Sequence, residues 1–166
     1  MDILKISTEW ALAELFSAKI VGLFSIIGLC SAAGFAIWGT SVTAKAFVIP
    51  MIIAGSFLAT VGIGLYVANK PRLEQFKNDY NTDSKNFVKK EIARTSKSQA
   101  DFKTVFKILP LIIIAATILF LFSTSANWKA ITITVMITSC FLMIVDINTE
   151  ARNKAYHEKL LTFTML

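Results

Sequence analysis

The stretch Leu111–Phe122, LIIIAATILFLF, decides the fold. It is apolar except for Thr117, and it does not alternate. A membrane-crossing strand alternates over about ten residues, and an open sheet edge cannot face lipid. The stretch therefore reads as helix. Similar apolar runs lie at about 20–38, 46–68, 108–122 and 130–147. A spanning helix needs about 20 mostly apolar residues. The first, second and fourth runs suffice as they stand. The third is short, but Val105 and Phe106 extend it while Lys103 and Lys107 snorkel to the interface. The reading is four transmembrane helices. Composition agrees: the chain is 55% hydrophobic with mean hydropathy +0.62, against about 45–50% apolar in soluble domains.

The first two spans are joined by TSVTAKA (40–46) and the last two by TSANWKA (124–130). The two resemble each other at an offset of 84 residues, sharing Thr-Ser and Lys-Ala, and the offset holds further on. Phe57-Leu58 matches Phe141-Leu142, Val61 matches Val145, Ile63 matches Ile147, and Asn69-Lys70 matches Asn153-Lys154. A duplication is expected, giving two tandem-repeated helical hairpins related by a pseudo-twofold axis along the membrane normal. The short corners make each hairpin antiparallel. Lys45 and Lys129 are expected to snorkel at these corners, with Trp128 in the same interfacial layer.

Basic residues set the expected orientation. Each corner has one, whereas the segment 69–107 has ten, the N-terminal segment two (Lys5, Lys19) and the tail three (Arg152, Lys154, Lys159). By the positive-inside rule, both termini and the central segment are cytoplasmic, in a bacterial inner membrane. The central segment also carries five acids, so much of the net charge of +6 is local to it. Lys70, Arg72, Lys89, Lys90 and Arg94 are candidate contacts for anionic lipid head groups. No nucleic-acid-binding motif occurs; the charge either serves only to set the topology or also meets membrane lipids, the expected partners.

The chain divides into five segments. Residues 1–18 (stripe Ile3, Ile6, Trp10, Ala13) read as an amphipathic interfacial helix anchored by Trp10, with Glu14 at the stripe's border, lying on the cytoplasmic face or packing under the bundle. With Asp2, Glu9 and Glu14 ahead of a full-length span, this segment is not expected to be a signal peptide. Residues 19–68 form the first hairpin. Residues 69–107 form a basic cytoplasmic helical segment. In it Pro71 disfavours helix at Lys70, NDYNTDS (78–84) reads as turn, and Thr82 or Asp83 caps a helix from Ser84. That helix runs into the third span, kinked or restarted near Pro110. Residues 108–147 form the second hairpin. Residues 148–166 are a cytoplasmic tail, with Ile147, Ala151 and Ala155 as its expected buried side.

Chemistry has few candidates. The single histidine, His157, sits in a charged tail, and no HExxH, GxSxG or GxxxxGK[ST] pattern occurs. Cys30 and Cys140 both fall mid-span as small apolar residues, with no disulfide framework, metal spacing or cofactor expected. The chain is expected not to be an enzyme. Thr132, Ser139 and Asp146 make a polar stripe down the fourth span. Such a stripe lines a solute path or bonds back to its own helix. In the second case Asp146 is expected to pair with Lys19, Lys70, Arg72 or Lys107. Gly55 and Gly62 occupy the equivalent positions to Ser139 and Asp146, so this face is expected to be where the hairpins meet. Ser56, Thr60, Gly64 and Ala68 form a second small-residue row, a candidate helix-packing face within the monomer or between copies.

The segments EIARTSKSQADFKTVFKILPLII (91–113) and IVDINTEARNKAYHEKL (144–160) resemble a family of small four-span membrane proteins of Bacteroidota-type bacteria. The resemblance covers most of the chain and implies a four-span bacterial membrane protein. It implies no activity. The expected role is a structural or accessory component of a homo-oligomer or larger membrane complex. The alternative is a small passive channel or transporter using the fourth-span stripe.

Overall fold

The computed structural model describes residues 2–164, and these contain helix and no strand. Six helices follow in order: α1 (Ile3–Trp38), α2 (Val42–Ala46), α3 (Val48–Asn69), α4 (Arg72–Thr82), α5 (Ser84–Phe122) and α6 (Ala126–Thr164). Four helical stretches are long and apolar enough to cross a membrane: α1; the stretch Val42–Thr82, which runs from α2 through α3 to α4; α5; and α6. The fold is all-α with four candidate spans.

Helix length shapes everything else. At 1.5 Å per residue, α1 reaches about 54 Å and α5 and α6 about 58 Å, against a hydrocarbon core of about 30 Å. Each overshoots the core on the side that carries the chain termini. There the N-terminal part of α1, all of α4, the start of α5 and the end of α6 gather into a second, water-soluble style of bundle. Ile3, Trp10, Ala11, Phe76, Phe87, Val88, Tyr156 and Leu160 form its buried core. In the spans most large apolar residues face outward, as Ile53, Phe57, Leu111 and Leu121 do. That is the distribution expected where the solvent is lipid.

Residues 3–18 are therefore not a separate interfacial helix. They continue unbroken into the first span, since no proline or turn signal interrupts them. Trp10 is only 8% exposed. Of the two expected placements it takes the one under the bundle, because α4, α5 and α6 offer it aromatic and cationic partners. Asp2 caps α1 by accepting from the Lys5 N–H. The tail's buried side is also different from the expected one: Ile147, Ala151 and Ala155 are exposed, and Asn153, Tyr156 and Leu160 are buried. The inward face is selected by hydrogen-bonding and aromatic partners on α1 and α5, which a spacing of small apolar residues does not reveal.

Between the bundles, Lys70 stays helical (φ −59°, ψ −46°) despite Pro71, whose carbonyl accepts from Glu74 and Gln75 as α4 begins. The expected turn at 78–84 shrinks to Asp83 alone, which accepts from the Asn86 N–H and starts α5. Pro110 lies inside α5 without ending it. It withdraws one backbone donor, a loss tolerated in spans where continuing the helix satisfies everything else. Pro50 has the larger effect: the helix breaks between Ala46 and Val48, one turn before it. Its ring crowds the Ala46 carbonyl and gives it no N–H.

The close pairs are α1 with α3 and α5 with α6, each an antiparallel hairpin. Within the membrane α6 also packs on α1 and α3, while α5 touches only α6. Phe24 and Phe141 stack at 3.9 Å between ring centres, joining the hairpins.

Candidate functional site

Two arrangements stand out. The first is a polar clasp in the terminal-side bundle. Glu91, one turn above the apolar pair Phe87-Val88, is buried. Arg94 grips it from the same helix, with Nε 2.9 and 3.1 Å from the two carboxylate oxygens and Nη2 2.7 Å from Oε2. The Arg94 guanidinium also lies 4.0 Å from the Trp10 ring centre. Tyr156 stacks on Trp10 at 5.4 Å. Its phenolic oxygen lies 3.0 Å from Glu91 Oε2 and 2.8 Å from Ser7 Oγ, and its one proton serves either of them. Ser7 in turn donates to the Ile3 carbonyl. Burial strengthens such charge-assisted bonds and penalises any member left unpaired.

A second layer lies nearer the membrane. Arg152 Nη2 reaches Glu14 Oε1 at 3.2 Å, Ser17 Oγ at 2.7 Å and Thr149 Oγ1 at 3.0 Å. Asn153 donates to the Thr95 carbonyl, and Thr95 Oγ1 meets His157 Nδ1 at 2.7 Å. His157 thus packs against α5. These acids and bases hold one another, and among the described residues no cluster of His, Cys, Asp and Glu is able to hold a metal ion. The clasp ties α1, α5 and α6 together. The sequence signals for it were Glu91 and Arg94 one turn apart and Glu14 on the border of an apolar stripe.

The clasp removes two of the five candidate head-group contacts. Arg94 is committed to Glu91 and Trp10. Arg72 donates to Asn69 Oδ1 at 3.0 Å and lies 5.5 Å from the Trp10 ring. Lys70, Lys89 and Lys90 remain exposed.

The second arrangement is a membrane-level groove of about 660 Å³ between α3 and α5, floored by α6. Lys45 and Asn127 stand at its corner end. It exists because, at the level of the spans, α5 packs on α6 and leaves α3 uncovered on that flank. Ser139 borders the groove, but Thr132 and Asp146 do not. Thr132 Oγ1 donates to its own helix, at the Trp128 and Lys129 carbonyls. Asp146 has no ion pair among the described residues, so the expected pairing with Lys19, Lys70, Arg72 or Lys107 is not made. Arg72 is drawn to Asn69 and Trp10 instead. The stripe members do not share one cavity.

The small-residue faces are also reassigned. Gly55 and Gly62 are buried inside the first hairpin, not between hairpins. A methyl group at Gly62 would sit 3.1 Å from the Gly22 nitrogen and 3.2 Å from the Ala18 carbonyl oxygen. Ser25 Oγ donates to the Gly55 carbonyl at 2.7 Å across the same seam. The second row, Ser56, Thr60 and Gly64, faces outward, and Gly64 has open space beside it.

No family model, no curated protein and no solved structure matches this chain. Its class is therefore set by its own structure: a multi-pass, all-α membrane protein of four spans.

Proposed function

We propose that the chain is a non-enzymatic component of a bacterial inner membrane, serving as a structural or accessory subunit of a homo-oligomer or larger complex. Both termini and the terminal-side bundle lie in the cytoplasm in this reading, as the distribution of Lys and Arg favours. The two hairpins are read as copies of one ancestral unit. Support comes from the corner sequences, where Ser41 and Ser125, 84 residues apart, each stand just before a helix, α2 and α6. Membership of the Bacteroidota-type family of small four-span proteins fits the same picture.

The observation that carries the proposal is the outward row Ser56, Thr60, Gly64. Small residues at spacing four allow close helix approach, yet among the described residues they have no partner helix in the same chain. The channel alternative draws less support, because Thr132, Ser139 and Asp146 do not line one cavity.

Cysteine crosslinking tests the proposal. In a background with Cys30 and Cys140 changed to Ser, single cysteines at Ser56, Thr60, Gly64 and the neighbouring Ile63 are oxidised in native membranes. Crosslinks at 56, 60 and 64 that exceed those at 63 support it, whether to a second copy or to a protein of another discrete mass. A chain that stays monomeric at every position overturns it.

A further inference from the structure

The groove between α3 and α5 has the features of a lipid site. Its walls are mostly apolar, with Ile53 and Phe57 from α3, Leu109 and Ile112 from α5, and Val135 and Leu142 from α6, while the hydroxyls of Thr134, Thr138 and Ser139 lie along the α6 floor. It follows α6 from Asn127 to Leu142, about 22 Å at 1.5 Å per residue. One leaflet of hydrocarbon is about 15 Å deep, half of the core. Length, apolarity and opening toward the bilayer suit an acyl chain rather than an aqueous solute.

The mouth supplies the charge. Lys45 is exposed there and makes no ion pair or hydrogen bond through its ammonium among the described residues. Its sequence counterpart, Lys129, is placed differently: it stands 6.0 Å from the Phe120 ring and does not line the groove. Only one of the two corner lysines therefore combines a free ammonium with an apolar channel beneath it. The break before Pro50 produces this difference. It separates the short α2 from α3, whereas α6 runs straight on from its corner.

We propose that this groove binds one anionic phospholipid, its phosphate on Lys45 and one acyl chain along α6. Asn127 offers an amide to the same head group. The site would hold a lipid at the corner-side leaflet whether or not the chain assembles with others.

Native mass spectrometry of the protein ejected from nanodiscs of mixed phosphatidylglycerol and phosphatidylcholine tests this. The wild type is expected to retain one phosphatidylglycerol in preference to phosphatidylcholine. Lys45→Gln should cut that preference about fivefold, the worth of one lysine near an anionic surface. Lys129→Gln should leave it unchanged. Ala54→Phe, which fills the groove, should remove the retained lipid of either kind, with circular dichroism checking that the helices remain. Lys45 sits on an exposed corner, so its variant reads out even if Ala54→Phe does not fold. Equal effects of Lys45→Gln and Lys129→Gln would overturn the proposal. So would lipid retention unaltered by a folded Ala54→Phe, or loss of a dimer in place of a lipid.

Discussion

The guanidinium of Arg94 lies 4.0 Å from the ring centre of Trp10, joining α5 to α1 although those two helices do not pack backbone against backbone. The contact bridges the halves of the chain at the base of the spans. Tyr156 covers the same tryptophan from α6. Three of the four long segments thus meet on one indole outside the hydrocarbon. In the spans themselves apolar surface gains little by turning inward, because lipid is as apolar as a neighbouring helix. The terminal-side bundle is where water can drive burial, and it carries much of the specificity of assembly.

Glu91 and Arg94 should show strong coupling. Arg94→Met leaves a buried carboxylate without its cation, an arrangement that costs about 3–5 kcal/mol. Replacing both, Glu91→Met with Arg94→Met, should recover most of that loss. Thermal unfolding in nanodiscs followed by tryptophan fluorescence measures the cycle. Losses that simply add would show that the two residues act independently.

The two glycines of α3 separated by one position should respond in opposite ways. Gly62→Ala pushes a methyl against the backbone of Gly22 and Ala18, and neither backbone atom can rotate away. It should lower the unfolding midpoint. Gly64→Ala meets open space and gains helix propensity of about 1 kcal/mol, so it should be neutral to stabilising in an isolated chain. Unfolding of both variants in dilute detergent would decide it, and a tolerated Gly62→Ala would contradict the seam described above.

The hairpins should reassemble when expressed as two pieces, 1–82 and 83–166. The cut falls at Asp83, between α4 and α5. Phe24 and Phe141 stack across the reassembled joint, and such pairs add about 0.5–1.5 kcal/mol beyond area. Phe141→Ala should therefore reduce co-purification of the pieces several-fold, while Ile137→Ala, at an exposed position, should not. Equal recovery of both variants would remove the aromatic stack from the account.

The spans, their order and the hairpin corners were legible because lipid imposes length and apolarity on each run separately. The cap of α5 was legible to within one residue, as Thr82 or Asp83, being local; it is Asp83. The packing partners were not. Gly55 and Gly62 looked like an inter-hairpin face, yet they serve the seam with α1. Which of four apolar surfaces meets which is set by side-chain shape, and composition is nearly the same on all of them. Arg72 and Arg94 are expected at lipid head groups and differ for a related reason. Each would suit a membrane interface by residue type. They sit instead in a core that exists only because three helices overshoot the bilayer together, a tertiary fact with no single-segment signature.

Arg152 and Arg94 should differ in their tolerance of lysine. Arg94 uses both Nε and Nη2 against Glu91 and lays its plane over Trp10. Lysine offers neither the fork nor the flat face, so Arg94→Lys should be clearly destabilising. Arg152 works through Nη2 alone, toward Glu14, Ser17 and Thr149. Its Nε is buried without a partner, and an unsatisfied buried donor costs about 1–3 kcal/mol. An ammonium brings three donors to one point, which matches three acceptors around one nitrogen, and it removes the orphaned N–H. Arg152→Lys should therefore keep the wild-type unfolding midpoint or raise it, whereas Arg152→Met should lower it by stranding Glu14. Matched thermal scans of the three variants check the contrast. An Arg152→Lys protein as unstable as Arg152→Met would mean that the guanidinium plane, not its one engaged nitrogen, holds α6 to α1.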